Sequence, residues 1–263
     1  RAGHRPGFHP AAVGALASAL GSLALCEARR WDSASQSATL YAQLDMDFED
    51  NEYAKIAAAT RDALVAKPDD AQLLWRLARA LKKLADAEGD KKQKERLVRE
   101  GLAHATRALE IQPDCGAVNK WYGIMLSTVG AFDGTTATIK NSYRVAEMFE
   151  RAVALSPGDA TARHLLGLWC FEIAKLSWIE KKAAAALFAT PPTSSYEAAY
   201  AHFATAEETS PGFYPKNRLY LALTCARLGR VDEAREWRDK CLAMAPKTPE
   251  DEETLAEARK LKL

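Results

Sequence analysis

The sequence has little of what enzymes and metal proteins usually carry. Its five cysteines are odd in number and widely spaced, without a CxxC pair, so neither a zinc site nor a disulfide framework is indicated. The five histidines are scattered, and no HExxH motif, glycine-rich phosphate loop or GxSxG elbow accompanies them. These absences predict a protein with no catalytic residues, no metal and no cofactor.

Net charge and aromatic side chains are also scarce. The 36 basic and 35 acidic residues of the 263-residue chain nearly cancel, which gives no global attraction to nucleic acid. Aromatic residues make up only 8% of the chain, whereas alanine and leucine are abundant. This composition is typical of a strongly helical protein with a real core, and we expect no nucleic-acid partner.

The first thirty residues differ from the rest of the chain. Residues 1–30 contain a single acidic side chain, and the stretch Pro6–Cys26 has no Asp, Glu, Lys or Arg. Such a lead is typical of a mitochondrial targeting remnant, of a helix that packs on a membrane or partner, or of a plain surface helix. Small residues at Gly14, Ser18 and Gly21 would let a helix pack closely on another. We expect an apolar N-terminal helix that serves as an anchor or address.

From residue 31 onward the sequence repeats itself. Five segments share one ending: RDALVAKPDD, TRALEIQPDC, ERAVALSPGD, TAEETSPGFY and DKCLAMAPKT. In each, a small residue lies five positions before a proline; the pairs are Ala63 and Pro68, Ala108 and Pro113, Ala152 and Pro157, Ala206 and Pro211, and Cys241 and Pro246. The small residue lets two helices approach closely, and the proline ends the second helix. The pattern predicts an all-α, tetratricopeptide-like α-solenoid of about five antiparallel helix pairs.

The spacing between these prolines indicates the domain organisation. Successive prolines are 45, 44, 54 and 35 residues apart, and only the last spacing is close to the ideal of about 34 residues. We therefore expect insertions between the paired helices of the first three intervals. The predicted organisation is an anchor or targeting remnant over 1–30, a helical-repeat domain over 31–247 and a charged C-terminal helix over 248–263.

The largest insertion contains the double proline Pro191–Pro192. Its alanine-rich flanks predict a first helix over about 160–188 and a second helix over about 194–209. Ser194 and Glu197 have the spacing of a capping box at the start of the second helix. The plain interpretation is that the break sets the angle between two helices.

A functional interpretation of the same insertion stands beside the plain one. The predicted first helix is too long to be covered by a neighbouring repeat, and apolar side chains on a projecting element need a cover. We therefore hypothesise that this helix and its Pro–Pro turn form a lid or wall of a binding groove. The residues that would meet a ligand or partner are Trp178, Phe188, Pro191 and Pro192.

The tryptophans recur on the predicted first helices of the repeats. Trp75, Trp121, Trp169 and Trp178 all lie in such segments. Bulky side chains at these positions usually fill the core between helices, whereas one that faces a groove acts as a binding anchor.

Four segments resemble the regulator of microtubule dynamics family in sequence and in order. They are LLWRLARA, NKWYGIMLSTVG, HLLGLWCFEIAKLSWIEKKAAAALFATPPTSSYEAAYAHF and SPGFYPKN, of which LFATPP is the most specific. The resemblance covers roughly Gln72 to Pro246. It implies a degenerate tetratricopeptide domain in a cytoskeletal or organelle-associated interaction protein, and not an enzyme. It also implies links to mitochondria, membrane contacts and phospholipid binding, which some members of the family have.

A basic cluster lies in the charged stretch between the first two repeat endings. It consists of Lys91, Lys92, Lys94 and Arg96, with acidic residues on both sides. The plain interpretation is an exposed loop and helix start. The alternative is a surface that contacts the acidic tails of tubulin or a phosphate group.

Three functions remain open from the sequence. The leading one is a non-enzymatic scaffold that binds a partner protein through its concave groove, as a subunit of a larger complex. The alternatives are a lipid-binding or lipid-transfer module at membrane contacts, with phospholipid as ligand, and a microtubule-associated regulator. A groove lined by aliphatic side chains would favour lipid, and one lined by Arg, Lys and Asn would favour peptide. We expect a mitochondrial, membrane-associated location, with a cytoplasmic or cytoskeletal one as the alternative.

Overall fold

The computed structural model describes residues 35–177, 182, 185–186 and 192–263. Within these ranges the chain forms helices and turns, and no strand occurs among them. The chain divides into two compact units, Arg1–Ile56 and Ala57–Leu263. The apolar N-terminal helix predicted for residues 1–30 lies outside the described residues.

In the first unit, helix α1 covers residues 35–49, and helix α2 (Tyr53–Ala66) begins before the unit ends. The turn between them contains Asn51 with a φ of 62°, a left-handed conformation that asparagine tolerates better than most residues. The carboxylate of Asp47 accepts hydrogen bonds from Lys55 Nζ at 2.8 Å and from Gln43 Nε2 at 2.9 Å. The bond from Lys55 connects α1 to the first turn of α2, whereas the bond from Gln43 lies within α1.

In the second unit, each helix from α3 onward packs against the next one along the chain. The helices that follow α2 are α3 (Ala71–Ala87), α4 (Lys91–Ile111), α5 (Gly116–Asp133), α6 (Thr135–Leu155), α7 (Ala160–Lys175), α8 (Tyr196–Thr209), α9 (Pro215–Arg227), α10 (Val231–Leu242) and α11 (Pro249–Lys260). Since the connected helices are packed neighbours, α3–α4, α5–α6, α7–α8 and α9–α10 form four helix pairs, and α11 packs on the last pair.

Proline ends the second helix of these pairs, as the sequence predicts. Helices α4, α6 and α8 each stop two residues before the repeat proline. The residue after the turn then caps the next helix: the Asp159 carboxylate accepts a hydrogen bond from the Ala162 amide at 3.0 Å. Asp70 caps α3 in the same way through the amides of Gln72 and Leu73. One short sequence motif therefore ends one helix and starts the next.

Four of the five small residues of the repeat endings lie in the core. Ala108, Ala152, Ala206 and Cys241 are fully buried. Because an alanine or cysteine side chain takes little space, the first helix of the pair can pack directly on the second. The predicted core between the helices is confirmed at these four positions, whereas Ala63, the small residue of the first ending, is half-buried.

The extra length of the first pairs lies within the helices. Gly134 alone connects α5 to α6, and residues 88–90 connect α3 to α4. Helices α4 and α6 each have 21 residues, compared with 13 in α9 and 12 in α10. The expectation of insertions between these paired helices is therefore wrong. Gly134 has a φ of 89°, and only glycine adopts that conformation without strain, so a single residue makes the connection.

Helix α7 also ends earlier than the sequence predicts. It stops at Lys175, and the Leu176 amide closes the last turn on the Ile173 carbonyl at 3.3 Å. Residues 176–177 are not helical, so a continuous helix over 160–188 is wrong. Leu176 is the C-cap of α7 and is half-buried.

The start of α8 differs from the predicted capping box by one residue. The N-cap is Ser195, whose hydroxyl oxygen accepts a hydrogen bond from the Ala198 amide at 3.2 Å. Burial raises the pKa of the Cys170 thiol in α7, and the nearby Ser194 side chain opposes that rise. The predicted capping box of Ser194 and Glu197 is therefore replaced by a cap from Ser195.

A cavity between helices α5, α6 and α7

The second unit contains a cavity of about 580 Å³ between helices α5, α6 and α7. Pro192 and Tyr220 of α9 complete the wall among the described residues. The volume falls within the range of about 300–1,000 Å³ that is usual for small-molecule sites. We call it the α5–α7 cavity.

Most of the wall is aliphatic or aromatic. The apolar lining residues in the described ranges are Ile124, Ile139, Val145, Phe149, Leu165, Leu168, Trp169, Ile173, Leu176 and Pro192. Those of α7 recur every three or four residues, so one stripe of the helix faces the cavity. The apolar side chains of α7 therefore line the cavity as well as packing in the core.

Trp169 is the aromatic anchor of this wall. Its indole Nε1 donates a hydrogen bond to the Ser142 carbonyl of α6 at 3.0 Å, which fixes the ring between α6 and α7. Trp75 and Trp121 are instead buried in the core between helices, as the sequence predicts. Trp169 is therefore the described tryptophan that lines the cavity.

The polar part of the wall consists mainly of hydroxyl groups from α5 and α6. The side chains of Thr128, Thr138 and Ser142 donate to backbone carbonyls of Ile124, Gly130 and Ile139 at 2.7, 3.0 and 2.7 Å, respectively. The protons of these hydroxyls are thus already used, and their lone pairs remain. Asn141 also lines the cavity, is half-buried, and forms no hydrogen bond within the described residues.

Glu172 is the one charged side chain among the described lining residues. It forms an ion pair with Lys175 at 3.0 Å, and the two side chains are 47% and 52% exposed, respectively. Burial, and next the negative charge of Glu172, raise the pKa of Tyr220 to about 12. Glu172 thus places a half-exposed carboxylate, paired with Lys175, at this end of the cavity.

A buried polar cluster, made of His164, Asn217, Glu207 and Arg218, lies beside the cavity. Asn217 Nδ2 donates to the Phe203 carbonyl at 3.1 Å, so its Oδ1 accepts from Nδ1 of His164 at 3.0 Å. Burial lowers the pKa of His164 to about 4, which keeps the ring neutral at pH 7. Arg218 and Glu207 form an ion pair at 2.7 Å next to this asparagine.

A second set of charges connects helix α3 to helix α11. Glu250, in the first turn of α11, accepts hydrogen bonds from Tyr214 Oη at 2.8 Å and Lys216 Nζ at 3.0 Å. Its other oxygen pairs with Lys83 Nζ of α3 at 3.2 Å. Burial alone would raise the pKa of Glu250, but Lys83 and Lys216 lower it to about 2. These contacts are structural, because every group has a partner.

Of the four residues predicted for the groove, the structure describes one. Pro192 is buried and lines the α5–α7 cavity. Trp178, Phe188 and Pro191 lie outside the described residues, so their predicted role stays a prediction. The packing residues Gly14, Ser18 and Gly21 also lie outside the described residues.

The predicted basic cluster lies in the first two turns of α4. Lys91, Lys92 and Arg96 are exposed and Lys94 is half-buried. None of the four forms an ion pair with another described residue. Asp90 precedes them as the N-cap, its side chain accepting a hydrogen bond from the Gln93 amide at 2.8 Å.

Sequence reasoning missed the polar wall of the cavity. The stretch TTATIKNS at the start of α6 is unusually rich in hydroxyl and amide side chains for a helix. That composition was a usable signal, because serine and threonine are poor helix formers unless their hydroxyls bond to the backbone. Which of these residues share a face with Glu172 depends on packing between helices, which a repeat pattern does not specify.

Two features are absent from the described part of the chain. No helix there combines the length and hydropathy that crossing a bilayer requires. No group of three or more His, Cys, Asp or Glu side chains is arranged to hold a metal ion within the same residues.

Solved structures of low sequence identity share the fold. A thermophilic tetratricopeptide-repeat protein from Thermus thermophilus is 20% identical, with a TM-score of 0.57 over 84% of this chain and 96% of that chain. The Pseudomonas aeruginosa protein pilF is 14% identical, with a TM-score of 0.54 over 83% of this chain and 86% of that chain. The all-α, tetratricopeptide-like α-solenoid is thereby confirmed as the fold class.

Relatives by sequence confirm the resemblance to one family. Regulator of microtubule dynamics protein 1 of Bos taurus is 42% identical over 194 residues, which cover 73% of this chain and 61% of that protein. Regulator of microtubule dynamics protein 3 of Xenopus laevis is 33% identical over 71% of this chain and 40% of that protein. The chain thus spans less than two thirds of the length of these relatives. The family model for regulator of microtubule dynamics protein 1-3 matches residues 40–262, and the chain belongs to this family.

Proposed function

We propose that this helical-repeat protein is a non-enzymatic scaffold that binds the apolar part of a lipid in the α5–α7 cavity. The observation that carries the proposal is the wall: its described lining is mainly aliphatic and aromatic, with Glu172 as the one charged side chain. An aliphatic lining favours lipid, whereas a lining of Arg, Lys and Asn would favour peptide, so this wall favours lipid.

The energetics agree with this choice. Burial of apolar surface contributes about 25 cal/mol per Å², so each 100 Å² of an acyl chain placed in the cavity contributes about 2.5 kcal/mol. A charged peptide segment in the same place would lose hydration without finding opposite charges. We therefore expect the wall to bind an acyl chain in preference to a charged peptide segment because of its low polarity.

The proposal is tested by blocking the cavity without disturbing the core. Ser127 lines the cavity from α5 and is exposed, so a tryptophan at this position can occupy the volume at little cost to the fold. We expect Ser127→Trp to reduce lipid adducts of the purified protein at least tenfold in native mass spectrometry. The matched control is Ala201→Trp, at an exposed position of α8 outside the described wall. Equal adducts for both variants, or none in the unmodified chain, would contradict the proposal.

A second candidate function follows from the basic cluster at the start of α4. Lys91, Lys92 and Arg96 are exposed and add to the positive end of the helix dipole, a surface suited to acidic protein tails. We propose that it contacts microtubules. Reversing these three charges to Glu should abolish co-sedimentation with microtubules at low salt, whereas Arg227→Glu, at an exposed position of α9, should not. Unchanged co-sedimentation of the triple variant would exclude this surface.

A mitochondrial, membrane-associated location remains a proposal. It depends on residues 1–30, which lie outside the described residues, and on the acid-poor composition of that stretch. Removing residues 1–30 from a fluorescent fusion should shift the protein from mitochondria to the cytoplasm. An unchanged distribution in cells would refute the proposed role of this segment.

A further inference from the structure

We infer that Lys83, Lys216 and Tyr214 form a binding site for the carboxylates of an acidic protein segment, and that Glu250 of α11 occupies this site from within the chain. None of these four residues is among the described residues that line the α5–α7 cavity. The inference therefore does not rest on the proposed lipid function, and either one can fail without the other.

Three hydrogen-bond donors converge on the Glu250 carboxylate. One oxygen accepts from Tyr214 Oη at 2.8 Å and from Lys216 Nζ at 3.0 Å, and the other accepts from Lys83 Nζ at 3.2 Å. Lys83 belongs to α3 and lies 167 residues from Glu250 in sequence, whereas the other two donors lie at the start of α9. Charged donors make stronger hydrogen bonds to a carboxylate than neutral donors do. The three side chains thus hold one carboxylate from two sides.

The site lies on the first helices of the repeat pairs. Helices α3 and α9 begin the first and the fourth pair, and α11 follows the fourth pair. His164 of α7, the first helix of the third pair, contacts Tyr214 with a ring-centroid distance of 5.2 Å. In helical-repeat solenoids of this kind, the first helices line the concave surface on which partners bind. The carboxylate site is therefore placed where a protein partner is recognised.

Glu250 can turn out of the site while α11 stays in place. The contacts described above contribute to the fold, but the side chain of Glu250 is 35% exposed, and those of Lys83 and Lys216 are 26% and 31% exposed. Ion pairs at this degree of exposure contribute little to stability. Helix α11 is held by Leu255 and Ala258, which are buried in the last core cluster. An incoming carboxylate can therefore replace Glu250 without unfolding the helix.

The present occupant indicates the chemistry of the ligand. Burial alone would raise the pKa of Glu250, but Lys83 and Lys216 lower it to about 2, so the site favours a negatively charged group. Glu250 is followed by Asp251 and by two further glutamates at 252 and 253. The group bound at the site is thus a carboxylate of an acidic stretch of polypeptide. An acidic protein segment matches the site better than a lipid head group does.

Two acidic side chains near the site oppose a further negative charge. Burial, and next the charge of Glu250, raise the pKa of Tyr214, and weaker contributions come from Asp251 and Asp86. Both of these carboxylates have other partners: Asp86 pairs with Lys82 at 2.6 Å, and Asp251 accepts hydrogen bonds from two backbone amides at 3.0 Å. The two lysines of the site have no acidic partner except Glu250 among the described residues, so we expect them to bind a carboxylate that replaces it.

The test uses fluorescein-labelled hexaglutamate and hexaglutamine peptides, titrated into the full chain at pH 7 and low salt, with fluorescence anisotropy as the readout. We expect weak binding of hexaglutamate to the unmodified chain, because Glu250 competes from within the chain. Glu250→Gln should tighten hexaglutamate binding at least fivefold and leave the binding of hexaglutamine unchanged. Lys83→Gln, added to Glu250→Gln, should return the binding to the level of the unmodified chain.

The matched control for the second change is Lys260→Gln in the same Glu250→Gln background. It removes one positive charge from an exposed position at the end of α11, and it should keep the gain. Tyr214→Phe keeps the ring and removes only the hydroxyl, so in this background it should reduce the gain about twofold. Thermal unfolding of each variant verifies that the fold is retained.

The other outcomes overturn the inference in distinguishable ways. Equal binding of hexaglutamate to the unmodified chain and to Glu250→Gln would show that Glu250 does not occupy a peptide site. A gain that Lys83→Gln does not reverse would assign the peptide to another surface, such as the basic cluster of α4. Phosphatidylcholine vesicles that contain phosphatidylglycerol give the last comparison. If Glu250→Gln strengthened binding to these vesicles and not to hexaglutamate, a lipid head group would be the ligand, and an acidic protein segment would be excluded.

Discussion

Helix α7 contributes to two regions of the repeat domain, the buried polar cluster and the α5–α7 cavity, whose polar side chains differ in their hydrogen bonding. Its first half contributes His164 to the buried polar cluster, and its second half contributes Trp169 and Glu172 to the α5–α7 cavity. Tyr220 borders both regions: its ring lies 6.2 Å from that of His164 and also lines the cavity.

The difference between the regions is whether the fold already satisfies the polar side chains. In the polar cluster, Asn217 is fully buried, and its side chain bonds to His164, to the Phe203 carbonyl and to Glu207. In the cavity, Asn141 is half-buried with no partner among the described residues. A polar group of the first kind stabilises the fold, and one of the second kind is available to a ligand.

The largest effect on stability is expected when the two asparagines of this comparison are replaced by alanine. Asn217→Ala leaves the Nδ1 proton of His164 without a partner and opens a small void, so we expect a loss of about 3–4 kcal/mol in the free energy of unfolding. Asn141→Ala removes no hydrogen bond of the described structure, and we expect a change within about 0.5 kcal/mol. Urea unfolding of the two variants measures both. Similar losses would show that the two regions do not differ in the way described.

The second prediction concerns acid. Because burial lowers the pKa of His164 from 6.5 to about 4, the unfolded chain binds a proton at this residue before the folded chain does. Stability from His164 is therefore fully present above pH 6.5 and is lost as the pH falls toward 4, by on the order of 3 kcal/mol. Glu250, whose pKa is lowered to about 2, contributes above pH 4.5 and loses its contribution between 4.5 and 2.

The control for this prediction is His164→Gln, which cannot titrate but can still donate to Asn217. Burial also lowers the pKa values of His104 and His202, so these residues add to the same pH window in both proteins. The difference between the unmodified chain and His164→Gln isolates the buried ring. Parallel stability curves between pH 6.5 and 4 would show that His164 is not the group responsible.

The repeat architecture could be predicted because its determinants are local. Proline ends a helix through its own ring, and Ala108 or Ala152 permits close packing through its own size. These effects do not depend on distant residues, so five endings were enough to place the helix pairs. The buried positions of Trp75 and Trp121 followed from the same pattern.

The cavity could not be predicted because it depends on contacts between helices. Helix α7 ends at Lys175 although alanine-rich sequence follows, and the N-cap of α8 is Ser195 although Ser194 has the better local spacing. The connection through Gly134 changed where the extra residues of the second pair lie. Each of these features changes which side chains line the cavity. They depend on packing between helices, which the repeat pattern of a single sequence does not specify.

The smallest expected effect compares two glycines at equivalent helix contacts. A Cβ atom at Gly167 would lie 2.8 Å from Cδ1 of Phe203, which is fully buried beside the polar cluster. A Cβ atom at Gly123 would lie 2.6 Å from Cε1 of Phe149, which lines the cavity. Both contacts are too short, so in each variant a phenyl ring must move.

The rings differ in the space they can enter. Overpacking costs about 1–3 kcal/mol, and alanine in place of a helical glycine recovers up to about 1 kcal/mol. Phe203 is not among the described residues that line the cavity, so we expect Gly167→Ala to lose about 2 kcal/mol. Phe149 can turn into the cavity, so Gly123→Ala should lose less than about 1 kcal/mol while weakening lipid binding, because the ring takes up ligand volume. Thermal unfolding and native mass spectrometry measure the two effects. If Gly123→Ala lost as much stability as Gly167→Ala and bound lipid normally, the cavity would not be the adaptable volume described here.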